Sequence, residues 1–434
     1  MSSPVAREVI EAAMPRDGLF KGKEWLLSPQ PFVLDAALVK EIRGIGTLLE
    51  GFLHACDGFY RDSSTGSAPG WVSALLDQGK PASVVELGLA GQFRGALPAV
   101  IRPDLLLTEE GFALSEIDSL PGGIGLTGWL NAFYAAQGWK VLGGAEGMIE
   151  GFRSVIGEGR VLFSRESEGY RPEMEWLVAR VHPERPVTES VLGEWEFDFT
   201  RHRSSEYYRF FELWDLDNVS NAGTILKIAR EGVAGFTPPM KAYLEEKLWL
   251  ALLWTPGLRD EWAARVPAEE LARLRRLVPE GWVLDPAPIP ALAEYPGLGI
   301  QSWEELKAFT QKERRLVAKV SGFCETAWGS RGVHIGHDLS TPEWSAAVEG
   351  ALKAFPRTPF ILQRFRQARV VEHPYYDRDT GELRVMRGRV RLCPYYFRAD
   401  GGVELGGVLA TVCPQDKKVI HGMRDAVLVP CVAG

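Results

Sequence analysis

Cysteine is scarce in this chain and irregularly spaced. Cys56, Cys324, Cys393, Cys413 and Cys431 make an odd number with no CxxC pair, which excludes a disulfide framework or a zinc knuckle. Uninterrupted apolar runs are missing as well: none approaches the ~18 residues that a membrane-spanning helix needs. The opening MSSPVAREVIEAAMPRDG lacks the continuous apolar core of a secretory signal, so a cytoplasmic address is expected. There is no basic stripe, and the formal charge is −8, so a nucleic-acid partner is not expected. Internal repeats and long low-complexity tracts are absent too. What is present is ample core material, with 46% apolar and 10% aromatic residues in 434. That composition belongs to a large, folded, multi-lobed chain rather than to a disordered one.

The pattern along the chain predicts an α/β (α+β) protein. Residues 34–55 carry apolar positions at helical spacing, as does EWLVARV after Pro172. Residues 100–142 read as strand, turn, strand, Gly-rich turn, helix and the strand WKVLGG. VLF (161–163) and FFELWDL (210–216) read as further sheet, and PPMKAYLEEKLWLALLW (238–254) as a helix opened by prolines. Further helices are expected at PAEELARLRRLV, at WEELKAFTQKERR behind the capping pair Ser302 and Glu305, and after Thr341-Pro342. The last third is β-rich, with VAKV, GVHIG, FILQRF, RVRLCPYYF and ELGGVLATV. This order divides the chain into a helical region (1–90), a lobe with a mixed sheet (91–235) and an antiparallel β-rich lobe (236–434), with a cleft expected between the lobes.

The segment RPDLLLTEEGFALSEID (102–118) carries the most chemistry. Two apolar stretches flank Glu109-Glu110-Gly111, which suits a three-residue hairpin loop with glycine in the left-handed position. If Thr108 faces Phe112, Asp104 faces Glu116 and Arg102 faces Asp118. Strand alternation then puts all four charged groups on one side, with Leu105, Leu107, Ala113 and Ile117 on the other. Three carboxylates on one patch repel each other unless a cation sits among them, and an all-oxygen donor set suits Mg²⁺ with phosphates and water completing its shell. The plainer reading is a hairpin with a charged solvent face.

The spacing R-x-D, followed twelve residues after the Asp by E-x-N, marks the metal site of glutathionylspermidine synthases and related circularly permuted ATP-grasp proteins. This chain resembles that pattern at Arg102, Asp104 and Glu116, with Asp118 in place of the family's Asn. The resemblance implies that Arg102 stabilises a transferring phosphoryl group while Asp104, Glu116 and Asp118 hold Mg²⁺.

Two more matches follow in order. EEKLWLALLW, with Trp254 seven residues past Lys247, resembles the family's N-K-x-L-L-x-x-L-W helix. VAKVSGFCETAWGSRGVHIG resembles its strand and Gly-rich loop over the ATP phosphates, with Lys319 at the strand end and Gly329, Ser330, Arg331 and Gly332 in the loop. Gln363 in FILQRF matches a Gln beside adenine. Together these imply an ATP-grasp ligase that joins a small-molecule carboxylate to an amine, with ATP and Mg²⁺ as its cofactors. A further position departs: the family's late Gly-rich strand carries an Arg where this chain has Leu409 and Ala410, leaving Arg391 or Arg389 to substitute. The acid, the amine and the oligomeric state are not specified.

Two competing readings come from the same residues. Gly123-Ile-Gly125-Leu-Thr-Gly128 is a literal GxGxxG between a strand and a helix, as in NAD(P)-dependent oxidoreductases. Glu116 and Asp118 at the strand end, the intervening Ser-Leu-Pro-Gly and the lack of an acidic ribose ligand argue against it. A nucleotide-binding relative without turnover is the other alternative. His334 and His337, placed in or beside a strand, and the aromatic cluster at 207–216 read as structural.

Overall fold

The computed structural model describes residues 3–15, 17–20, 23–290, 293–327, 331–399, 401–417, 420 and 424–434. The chain divides into two compact units, both discontinuous in sequence. Residues 1–51, 96–240 and 367–434 form the first, and residues 52–95 and 241–366 the second. This division cuts across the linear segments 1–90, 91–235 and 236–434. The physical reason is strand pairing: the strand Leu383–Ala399, to which the other late strands are joined, hydrogen-bonds to Val100–Thr108, a long-range match that sequence order does not reveal.

The first unit holds a seven-stranded mixed sheet. Its order is Phe32–Leu34, Val427–Ala433, Gly402–Pro414, Leu383–Ala399, Val100–Thr108 and Gly111–Asp118, with Val370–Tyr376 also paired to Leu383–Ala399. Only the first pair is parallel among the strands of this sheet. The 17-residue strand Leu383–Ala399 explains its own two halves. Met386, Gly388 and Val390 are buried while Leu383, Val385 and Arg387 face solvent, the alternation of a one-sided sheet. From Leu392 to Phe397 every residue is buried, because the helix Gly147–Ile156 packs there; a Cβ on Gly151 would lie 2.2 Å from the Phe397 ring.

A second sheet in this unit is wholly parallel, in the order Val191–Gly193, Arg160–Phe163, Glu206–Phe210, Gly235–Thr237. The helices Arg171–Val181 and Ala222–Glu231 form its crossovers, as parallel pairing requires. The sheet reading of 210–216 holds only for its first residue, since Leu213–Asn218 turns into a 3-10 helix. WKVLGG is not a strand either: Val141 makes a single bridge to Val432, and Gly143 and Gly144 turn the chain at φ +86° and +80°.

The second unit is built on a four-stranded antiparallel sheet, Val333–Ile335, Leu316–Val320, Phe360–Arg364 and Gly281–Val283. The helices Trp303–Lys307 and Thr341–Ala354 cover it through a core that includes Leu306, Leu316, Trp344, Val348 and Leu362. The expected helix over 238–254 is broken into a 3-10 turn, Ala242–Glu245, and a short helix, Leu248–Leu252. Tertiary contacts override helical spacing there: Lys241 Nζ and the Tyr243 hydroxyl both donate to Asp57 Oδ1, at 2.7 and 2.6 Å. The helix behind Ser302 keeps its capping box but runs only five residues.

Glu206 opens its strand opposite Gly235, where an added Cβ would meet the Glu206 carboxylate at 1.9 Å. Burial pushes this carboxyl from 4.5 up to about 7. The folded chain therefore retains a proton that the unfolded chain has already lost between those values. Stability from Glu206 is full below pH 4.5 and is lost as pH rises through 7. Glu206→Gln is expected to melt higher than the parent at pH 8 and equally at pH 4.5, as read by thermal melts at both values.

Candidate functional site

The hairpin reaches the expected register by an unexpected route. Thr108 pairs with Gly111, so the loop is the two residues Glu109-Glu110 rather than three. Left alone, that one-residue shift would send Glu116 and Asp118 to the wrong face. A β-bulge at Ser115 corrects it, and beyond the bulge Asp104 pairs with Glu116 and Arg102 with Asp118. The Ser115 hydroxyl donates to the Asp104 carbonyl at 3.1 Å, which pins the bulge.

The neighbouring strand completes the face. Arg391 pairs with Leu106 and Tyr396 with Ile101. Continuing that register sets Cys393 opposite Asp104, Pro394 opposite Pro103 and Tyr395 opposite Arg102. Two prolines thus face one another in the middle of a sheet, and the ladder lacks their N–H groups at one common point. The side chains at this gap converge. Arg102 Nη2 lies 3.1 Å from Asp104 Oδ1 and 2.8 Å from Asp118 Oδ2. Arg391 Nη1 donates to Asp104 Oδ2 at 2.8 Å, and the Cys393 thiol to Asp104 Oδ1 at 3.4 Å. Arg102 Nη1 and the Tyr395 hydroxyl share the Gly122 carbonyl, at 3.3 and 2.8 Å.

The expected repulsion among three carboxylates is therefore relieved by two guanidinium groups. Burial works against the charge on Arg102, but Asp104 and Asp118 outweigh it and hold its pKa well above the usual value; Arg391 is raised in the same way by Asp104. The Asp118 carboxyl is raised, chiefly by burial and then by Glu116, with Arg102 opposing. Burial and Asp104 push the Cys393 thiol up to about 12, which leaves it inert.

Among the described residues no group of three or more His, Cys, Asp or Glu is arranged to hold a metal ion. The all-oxygen donors nonetheless suit Mg²⁺ that arrives with its phosphates, since such an ion takes only one or two carboxylates from the protein. The cations beside them suit an anion: Arg102 Nε and Arg391 Nε are buried without acceptors, as is the Tyr208 hydroxyl.

The residues expected around a nucleotide lie in the second unit. Lys319 Nζ donates to Gln363 Oε1 at 3.0 Å across adjacent strands, while Gln363 Nε2 is buried without a partner. Lys247 precedes the short helix Leu248–Leu252, with its N–H on the Ser321 carbonyl at 3.2 Å and its Nζ at 3.5 Å from the same atom. Gly332 closes the loop from the other side, where a Cβ would clash with Val320 at 2.5 Å. Arg331 is exposed and paired with Glu325 at 2.7 Å. Gly329 and Ser330 lie outside the described residues.

Of the two substitutes for the missing late arginine, the structure brings Arg391 to the hairpin. Arg389 sits instead beside Gln367, whose side-chain oxygen accepts from it at 2.9 Å once the amide is oriented to satisfy both groups. The alternation Arg391, Cys393, Tyr395 within RVRLCPYYF was the available signal, because those positions share one face. Glu173 could not have been found that way. It is fully buried on the helix Arg171–Val181 and accepts from the N–H groups of Gly123 and Leu126 at 3.0 and 3.3 Å. Its carboxylate thus occupies the helix N-terminus at which a pyrophosphate binds in a dinucleotide fold. The preceding strand, Gly111–Asp118, is also an antiparallel edge strand rather than part of a parallel unit. The GxGxxG motif is a packing device here: a Cβ on Gly125 would lie 2.3 Å from the Glu173 carbonyl. His334 and His337 join no metal-binding group among the described residues, and the His337 ring packs edge-on against Phe365.

No protein-family model matches the sequence, and no curated protein does. Solved structures do match. A glutathione synthetase-like effector from Globodera pallida, in its apoform, aligns with a TM-score of 0.52 over 94% of this chain and 90% of that one, at 10% identity. A candidate gamma-glutamylcysteine synthetase from Methylobacillus flagellatus aligns over 92% and 87% at 12% identity, with a TM-score of 0.38. The first of these establishes that the chain shares the fold of a glutathione synthetase-like protein. No helix among the described residues is long and apolar enough to cross a membrane.

Asp104 is 4% exposed and shared by two arginines. Removing one partner of such a buried cluster costs about 3–5 kcal/mol. Asp104→Ala is expected to lose that much in urea unfolding without metal or nucleotide. A loss within ~0.5 kcal/mol, the ordinary range for a surface substitution, would show that the arginines do not depend on it.

Proposed function

We propose that the chain is a Mg-ATP-dependent carboxylate–amine ligase of the ATP-grasp type, acting on a small-molecule acid and a small-molecule amine. The observation that carries this reading is the hairpin face, where Arg102 and Arg391 converge on Asp104 beside Glu116 and Asp118. The fold shared with a glutathione synthetase-like protein supports it. So does the likeness to glutathionylspermidine synthases, in the same order along the chain, of R-x-D with Glu116 (Asp118 standing where that family has Asn), of Lys247 and of Lys319 with its glycine-bearing loop.

In this reading Glu116 and Asp118 take the metal, and Asp104, which the resemblance implies as a third ligand, instead orients the two arginines that meet its two oxygens. When bound, Mg²⁺ offsets charge on the β- and γ-phosphates as the phosphoryl group leaves ADP. The phosphoryl group passes to an oxygen of the substrate carboxylate, giving an acyl phosphate. The amine nitrogen then attacks the acyl carbon, loses a proton and expels phosphate, leaving an amide. Arg102 supplies charge where negative density grows on the transferring group. Arg391 is the second such cation, taking the place of the arginine that the resembled family carries on its next strand. Lys247 and Lys319 hold phosphates, and the loop after Lys319 excludes water, which would otherwise hydrolyse the acyl phosphate. A cytoplasmic setting suits this chemistry.

A second reading has one specific observation in its favour. Both oxygens of Asp104 and one of Asp118 are already taken by arginines, as in a site that binds nucleotide without turnover.

Nucleotide chromatography separates the two readings. With pooled amino acids, polyamines and Mg-ATP, the ligase is expected to release ADP and phosphate. Arg102→Ala should still bind Mg-ATP but slow release by ~10³-fold, the low end for an arginine acting in phosphoryl transfer. Binding without any product favours the second reading, and AMP with pyrophosphate rules out acyl-phosphate chemistry.

A further inference from the structure

Glu246 is a buried carboxylate that the proposed chemistry leaves unused. Its side chain is 1% exposed, and Lys80, itself 2% exposed, meets Oε1 at 2.5 Å. Its other oxygen, Oε2, accepts a hydrogen bond from the Ser321 hydroxyl. That hydroxyl in turn accepts from the Leu248 N–H at 2.8 Å, while the Ser321 carbonyl accepts from the Lys247 N–H. Ser321 follows the strand Leu316–Val320, two residues beyond Lys319. One carboxylate thus ties together the backbone of Lys247, the end of the strand that bears Lys319, and the start of the glycine-bearing loop.

The packing around it is tight. A Cβ on Gly322 would stand 2.8 Å from the Glu245 carbonyl and 3.1 Å from the Glu246 carboxyl carbon. Phe323 adopts φ +44°, a left-handed conformation that is unusual for a bulky residue. Its ring lies 5.2 Å below the Lys80 ammonium, a distance at which a cation attracts an aromatic face. The chain turns out of the strand here against steric preference, held by Lys80 from above and Glu246 from the side. A buried ion pair is often no more stabilising than an apolar pair of similar volume, so stability alone does not account for these two charges. Orientation does: a carboxylate with one oxygen on an ammonium and the other on a hydroxyl fixes the direction of both, which a methyl group cannot.

We propose that Glu246, braced by Lys80, is a positioning residue for the phosphate-binding lysines, acting through Ser321 on Lys247 and on the loop after Lys319. This rests on the nucleotide reading above. Glu246 does not touch the nucleotide; it sets where the two ammonium groups stand.

The test compares Mg-ATP affinity with stability in the full chain, by calorimetric titration and urea unfolding. Two variants are needed: Ser321→Ala and the apolar pair Lys80→Met with Glu246→Met. The pair is expected to unfold near the parental urea concentration, since well-packed apolar replacements of a buried ion pair are often neutral or better. Its Kd for Mg-ATP should nevertheless rise by about tenfold, the low end of what loss of an orienting partner costs a metal site. Ser321→Ala, which leaves both charges in place, should raise the Kd in the same direction. A parental Kd in the apolar pair and in Ser321→Ala overturns the positioning role while leaving the nucleotide reading intact. Failure of the parent chain itself to bind Mg-ATP overturns both.

Discussion

Asp104 between two guanidinium groups is the interaction on which the first unit's charged face depends. It brings together residues from two strands that lie nearly three hundred positions apart in sequence, Arg102 beside it and Arg391 across the sheet, and each arginine satisfies a different oxygen. Around it stand two further carboxylates, Glu116 and Asp118, so the cluster carries one more negative charge than positive. Removing such charges from water costs several kcal/mol per ion and is repaid only by close pairing. The geometry supplies that pairing, and the facing prolines supply the gap in the ladder where it fits. A bulge, a pair of opposed prolines and a register shift all serve to turn these five side chains to one side.

The same cluster explains why metal and nucleotide belong together in the proposed function. A bare cation drawn to Glu116 and Asp118 competes with Arg102 for Asp118 and leaves a guanidinium poorly matched. In that proposal, phosphate arriving with the cation would give Arg102 a new partner as the old one is taken. Such an exchange would conserve charge pairing, whereas either ligand alone would disrupt it. In the second unit Glu246 shows the opposite arrangement, a carboxylate enclosed with its partners and serving to aim others.

How much of this was legible in the sequence depends on the range of the contacts. Alternation along RPDLLL and SEID put the four charged groups on one face, although the loop was assigned one residue too long; the extra residue at Ser115 cancels the difference. Short-range signals of this kind, including the capping box at Ser302, are written in adjacent residues. The discontinuous units were not legible, because nothing local in RVRLCPYYF states that it pairs with residues 100–106. Arg391 was nameable only as one of two candidates, and the pairing chose it over Arg389. The GxGxxG motif could be set aside from its neighbours in sequence, but the residue that fills its helix N-terminus could not be named, because Glu173 comes from a different helix. Lys80 and Glu246 had no sequence signal at all, being brought together from segments 166 residues apart.

The central claim is that the hairpin face exchanges arginine partners for Mg²⁺ and a phosphoryl group. A crystal structure with Mg²⁺ and a non-hydrolysable ATP analogue tests it directly. The account predicts a metal ion about 2.1 Å from oxygens of Glu116 and Asp118, the spacing for Mg²⁺, with Arg102 turned from Asp118 onto the γ-phosphate. A nucleotide bound with its metal elsewhere, and Arg102 still closed on Asp118, would contradict it.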